Sequence, residues 1–218
     1  METYFDPVPL LGDARVVFRG EWTDRKWLNV PGPFYGADTD NCGTGRIHAP
    51  ELVLYEAEHF TEYVHRQPRT EAELRRLVGA AEDDPMMGYG CDGDAHWTPA
   101  AVREWWRDRG RIREYLADRR ARFEADDAKS GQGTAAAARD YAAYLDGGLA
   151  PHLRVYLFWL EERRPPTPAD LLPQLSLTMR HGPYADRPRH GRTGHGQESA
   201  ATSGEDHHHR AGPPSPRM

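Results

Sequence analysis

From Arg180 to Met218 the chain holds no Val, Ile, Leu, Phe or Trp, so anything able to form a core lies upstream of that point. A segment built mainly of Gly, Pro, Ser, His and Arg cannot bury enough apolar surface to offset the entropy of ordering it. Residues 180–218 are therefore expected to be a disordered tail rich in His, Arg, Gly and Pro, and residues 1–179 a single domain. A body of that length suits one domain of ordinary size. The tail carries six arginines against four acids, and with a net charge of −6 for the whole chain this leaves −8 on the body.

Charge and cysteine content narrow the function classes. Duplex binding needs an excess of Lys and Arg to neutralise phosphate, and here Asp+Glu lead 34 to 28, so no nucleic-acid partner is expected. The longest clean apolar run, Val155 to Leu160, is far short of the roughly 18 residues of a membrane span. The N-terminus (Met1 to Pro7) lacks the basic and apolar regions of a secretory signal, so a cytoplasmic protein is expected. In such a compartment the two cysteines, Cys42 and Cys91, are read as reduced thiols. An iron–sulfur cluster wants four ligands in C-x2-C runs, which are absent, so that cofactor is not expected.

The pattern along the body predicts an α+β fold, with a small antiparallel sheet on the N-terminal side packed against three to four helices, one of them long. Strand-like runs fall at Arg15 to Phe18, Glu51 to Tyr55 and His59 to Arg66, with Pro31-Gly32-Pro33 and Cys42-Gly43-Thr44-Gly45 marking a long structured loop. Thr70 and Glu73 form a capping box ahead of Leu74, Leu77, Val78 and Ala81. Thr98 caps a second helix with Pro99 at its first position, and Val102, Trp105, Ile112, Leu116 and Phe123 make its apolar stripe. Arg109 and Arg119 interrupt that stripe, and Gly110 is a place for a kink. Further helices are expected over about Ala135 to Asp146 and about Pro151 to Arg163, with a last turn at Thr167-Pro168.

Two polar, glycine-bearing loops are the candidate sites. The first is Asp38-Thr39-Asp40-Asn41-Cys42-Gly43 and the second Gly90-Cys91-Asp92-Gly93-Asp94-Ala95-His96. In an extended segment Asp92, Asp94 and His96 would point to one side, as would Asp38 and Asp40. With Cys42 and Cys91 they could hold a divalent cation, zinc accepting such N, O and S donors. A calcium loop is excluded, because its twelfth position from Asp38 is Ala49 and strand-like sequence follows it. The competing reading is that Asp, Asn and Gly here simply form turns, and that Asp92 and Asp94 complement the helix dipole downstream. A third is a reversible disulfide between Cys42 and Cys91. His59 and His65 flank Tyr63 and are read as an edge of the core. Trp105-Trp106 and Tyr115 are read as packing residues.

Two strings, Trp27-Leu28-Asn29-Val30-Pro31-Gly32-Pro33-Phe34-Tyr35-Gly36 and Gly90 to Trp106, resemble an uncharacterised protein family of GC-rich bacteria, some of whose members are labelled ferredoxin. The resemblance spans about Tyr4 to Leu175 and implies no catalytic residue. The expectation drawn from the residues is a binding or accessory protein whose acidic body meets a protein partner with a basic surface. The alternatives are a metal-dependent, hydrolase-like enzyme using Asp38, Asp40, Asp92, Asp94 and His96, and a redox protein acting through Cys42 and Cys91.

Overall fold

The computed structural model describes residues 4–40, 42–55 and 61–176. Its strands are two or three residues long, and their pairing sets the frame. Tyr35–Gly36 (β1) pairs antiparallel with Tyr89–Gly90 (β4), and Val53–Tyr55 (β2) pairs antiparallel with Glu62–Val64 (β3). Between them come a short helix Thr44–His48 (α1) and a longer one Glu71–Glu82 (α2), and after β4 the turn Gly93–His96 (α3). The rest is helical: Pro99–Asp108 (α4), Gly110–Asp118 (α5), Arg120–Ser130 (α6), Thr134–Asp146 (α7) and Leu149–Glu162 (α8). The α+β class and the mainly helical body agree with the sequence pattern. No helix among the described residues is long and apolar enough to cross a membrane.

Several local expectations need correction. Arg15 to Phe18 is not a strand, because Val8–Val17 winds as 3-10 turns broken at Gly12. The sheet is split into two ribbons, and the Tyr89–Gly90 partner of β1 carries no periodicity long enough to read. Cys42 to Gly45 does not stay a loop: Gly43 takes the left-handed conformation (φ 73°) and α1 begins at the next residue. The long helix exists as three consecutive segments whose junctions are Arg109 and Arg119, both still in the right-handed helical region. Arg109 stacks on Trp106 at 3.7 Å and donates to its carbonyl, while Arg119 pairs with Asp118 at 3.6 Å. His59, Phe60, Asn41 and the tail lie outside the described residues. The chain divides into a unit Met1–Thr178 and a unit Met179–Met218.

The legible caps form as their chemistry dictates. Thr70 Oγ1 accepts from the Glu73 amide, and Glu73 reaches back one residue further than a simple capping box, to the Arg69 amide at 2.6 Å. Thr98 Oγ1 accepts from the Ala101 amide. The start of α7 is capped from a neighbouring helix instead: Asp127 accepts from the Thr134 and Ala135 amides at 2.7 and 2.8 Å.

Alternation along β2 and β3 divides the interior in two. The Leu54–Tyr63 pair turns toward the helices, into a cluster with Val102, Ile112, Leu116, Tyr141, Leu153 and Leu157. The Val53–Val64 pair turns to the other face, against Phe34, Leu74, Leu77, Tyr89 and Cys91. His65 is buried beside the Tyr141 ring (5.3 Å), and burial drives its pKa down to about 3, so it sits there as a neutral core residue.

Strands this short leave most of residues 19–43 without ladder partners, and buried side chains supply them. Asn29 Nδ2 donates to the Lys26 and Gly36 carbonyls (2.7 and 2.8 Å), while its Oδ1 accepts from the Gly36 and Val64 amides (both 2.8 Å). Gln67 does the same for the turn above: its amide donates to Val30 and Phe34 carbonyls and its oxygen accepts from the Phe34 amide. A buried amide left unpaired costs about 1–3 kcal/mol. Asn29→Ala orphans two amides at once and is expected to lower the unfolding free energy by about 3 kcal/mol or more in urea denaturation. A loss under about 1 kcal/mol would mean that the loop holds its shape by other means.

Candidate functional site

The antiparallel pairing of β1 with β4 decides what the two candidate loops can share. Tyr35 lies opposite Gly90 and Gly36 opposite Tyr89, so the chain leaving Gly36 and the chain leaving Gly90 run off in opposite directions. The first loop leaves at the end where the Ala37 amide donates to the Gly88 carbonyl (2.8 Å), and the second leaves at the other end, past the Tyr35–Gly90 pair. Among the described residues no group of three or more His, Cys, Asp or Glu side chains is placed to hold a metal ion. Asp38, Asp40, Cys42, Cys91, Asp92, Asp94 and His96 are thus not gathered into one group of ligands among the described residues.

Each residue has other work. Asp38 is exposed and pairs with Lys26 Nζ at 2.6 Å. Asp40 is buried and turns its carboxylate onto the Thr44 hydroxyl (3.2 Å) and the Cys42 amide (3.3 Å), as an Asx turn does. Neither cysteine is in a disulfide: Cys42 is exposed at the edge of a cleft of about 310 Å³, and Cys91 is buried with Phe34 and Leu74. Burial pushes the Cys91 thiol up, which makes it a poor nucleophile.

The alternation expected of Asp92, Asp94 and His96 fails because Gly93–His96 is a helical turn. In a turn of helix, positions four apart share a side and positions two apart oppose each other. Asp92 and His96 therefore meet, Oδ2 to Nε2 at 3.1 Å, while Asp94 points away and accepts from the Tyr156 hydroxyl on α8 at 2.6 Å. Burial raises Asp94 to a pKa of about 6. Asp92 moves the other way. Burial pulls its pKa up, but hydrogen bonds from the Tyr35 hydroxyl (2.6 Å) and His96 outweigh that and hold it below the usual carboxylate value.

His96 opens onto an aromatic surface. Its ring stacks on Trp22 (4.8 Å, 10° between planes), and Trp22 meets Tyr35 and Trp97 edge-on, each at 5.3 Å. The Arg25 guanidinium lies 3.9 Å from the Trp22 ring. Beyond Trp97 the surface continues as a groove of about 240 Å³ whose floor is Trp27, Trp97, Trp105 and Ile112. Arg25 and Arg111 stand on its rim with Glu104 and Asp108. Arg111 covers Trp27 at 4.1 Å, and Tyr115 meets the same indole edge-on. Trp105 packs half-buried against the helical cluster, as the sequence suggests, and it also lines this groove; Trp22 and Trp27 have no role in the sequence reading. The available signal was the bunching of tryptophans in two short stretches, Trp22 to Trp27 and Trp97 to Trp106.

A second group escaped the sequence reading. Glu62 on β3 is fully buried and accepts from the Tyr89 hydroxyl (2.6 Å) and from the Gly45 and Arg46 amides (3.0 and 3.2 Å) at the start of α1. Gly45 has to be glycine here, since a Cβ would strike both Tyr89 Oη and the Glu62 carboxylate. Burial pushes Glu62 up to about 7, against the pull of those hydrogen bonds. Only its position in an alternating strand, as an acid among apolar neighbours, hinted at this.

No family model matches the chain, and neither the curated proteins nor the solved structures searched contain a match.

A carboxyl whose pKa is raised from 4.5 to about 7 on folding stabilises the fold fully below the lower value and loses that contribution as pH rises through the higher one. Glu62→Gln has no proton to lose. Between about pH 4 and pH 9 the variant is expected to gain about 3 kcal/mol on the parent in urea denaturation. A difference that stays flat with pH would contradict the buried carboxyl.

Proposed function

We propose that this chain is a binding or accessory protein that docks a protein partner with a basic surface on the tryptophan groove. The observation that carries this reading is that four of the six tryptophans, Trp22, Trp27, Trp97 and Trp105, gather on one continuous surface with Arg25 and Arg111. Trp and Arg are the residues that dominate binding energy at protein interfaces, because they combine large apolar area with a polar handle and little rotamer freedom to lose. An acidic body speeds encounter with a cationic partner and repels phosphate backbones. A reducing compartment such as the cytoplasm suits two cysteines that form no disulfide, one of them exposed.

The enzyme alternatives have less to stand on. The acids of the two loops are tied to Lys26, Thr44, Tyr35, His96 and Tyr156, and among the described residues no Ser, Thr or Cys nucleophile is bonded to the Asp92–His96 pair. The redox alternative needs two thiols in contact, and Cys42 and Cys91 leave the β1–β4 ribbon at opposite ends.

A photoreactive phenylalanine analogue at Arg107, exposed on α4 beside the groove, is expected to give one discrete adduct on irradiation of cells. The same group at Arg75, equally exposed on α2, is expected to give none. No adduct at the first position, or the same adducts at both, would contradict docking on this face.

A further inference from the structure

The groove shows which chemistry its indoles accept, because the chain already places guanidinium groups on them. Arg25 lies 3.9 Å from Trp22 and 5.6 Å from Trp97, and Arg111 lies 4.1 Å from Trp27. Trp105 is the exception: it lines the groove and carries no guanidinium among the described residues. Two carboxylates stand in the same groove. Glu104 and Asp108 are one turn apart on α4, so they share a side of the helix, and both line the groove with Trp105. Glu104 has only a long contact with Arg107 (3.9 Å), and Asp108 makes no ion pair among the described residues.

We infer that this position reads an arginine side chain of the partner, its guanidinium laid on the Trp105 indole and forked between Glu104 and Asp108. The inference rests on the docking reading above and names the group that is docked. Arginine fits better than lysine on three counts. Its planar head stacks on an indole, it presents donors in a fork that matches carboxylates, and it is more weakly hydrated than an ammonium. The rim arginines Arg25 and Arg111 add selectivity: they bound the site with positive charge, so a cation is accepted only where the two carboxylates offset them. One arginine on one half-buried indole is a weak contact, and the partner's affinity comes from the rest of its footprint.

The test uses the full chain and the probe peptide acetyl-Gly-Arg-Gly-amide, with lysine and citrulline counterparts, followed by NMR at the tryptophan indole N–H signals. The arginine peptide is expected to shift the Trp105 signal and leave Trp159, which is stacked on Tyr4 away from the groove, unmoved. The neutral citrulline peptide is expected to bind about tenfold more weakly and the lysine peptide several-fold more weakly. Glu104→Gln with Asp108→Asn, both exposed on the helix surface, is expected to erase the preference for arginine over citrulline, as is Trp105→Ala. Added salt weakens the arginine and lysine peptides and leaves the citrulline peptide unchanged. Equal affinities for arginine and citrulline, or no movement of the Trp105 signal up to about 50 mM peptide, overturn the inference. Should the adduct at Arg107 form while arginine shows no advantage, the docking surface stands and its arginine reading falls.

Discussion

Hydrogen bonds from a few buried side chains to the backbone hold this protein in shape. Its strands are too short to satisfy the peptide groups of the segment from Arg19 to Gly43, and buried N–H and C=O groups must be paired somewhere. Asn29, Gln67, Glu62 and Asp84 take that role. Asp84 alone accepts from the Asp40, Met86 and Gly88 amides. Each ties together pieces of chain far apart in sequence, as Asn29 joins Lys26, Gly36 and Val64. The apolar clusters on either face of β2–β3 supply bulk burial, but without these side chains the N-terminal third has no fixed path across them.

That path places the tryptophans. Asn29 and Gln67 fix the turn from Lys26 to Gly36, which sets Trp27 on the groove floor. The same turn positions Tyr35, whose hydroxyl lies 2.8 Å from the Gly20 carbonyl as well as against Asp92. The β1–β4 ribbon then delivers α3 and Trp97 beside Trp22, and the Thr98 cap starts α4 at the angle that brings Trp105 alongside. The Asp92–His96 pair reads best as part of this scaffold: His96 supports the Trp22 face, and Asp92 locks both Tyr35 and His96.

The helices were legible because their signals are local. Thr70, Thr98 and the apolar stripe from Val102 to Phe123 announce themselves within one or two turns of chain. The break expected at Gly110 falls where α5 begins, while the second, at Arg119, coincides with a gap in the stripe. The sheets were half legible: Val53–Tyr55 and Glu62–Val64 alternate, while Tyr35–Gly36 and Tyr89–Gly90 are pairs whose partner lies more than fifty residues away. The candidate site was misread for two physical reasons. Period-two spacing in Asp92, Asp94 and His96 was taken as extended chain, and glycine at 93 let it coil into a turn. The two loops also leave the β1–β4 ribbon at opposite ends, a consequence of antiparallel pairing over more than fifty residues that no local signal carries.

Native-state amide hydrogen exchange tests the central claim most directly. Phe34, Gly36, Val64 and Gly88 donate to side chains of Gln67, Asn29 and Asp84, not to a ladder. If those side chains hold the fold, these amides exchange only through global opening, with protection equal to that of the buried core of α8. Exchange at the rate of a surface loop, while α8 stays protected, would show that the N-terminal third is not fixed by them.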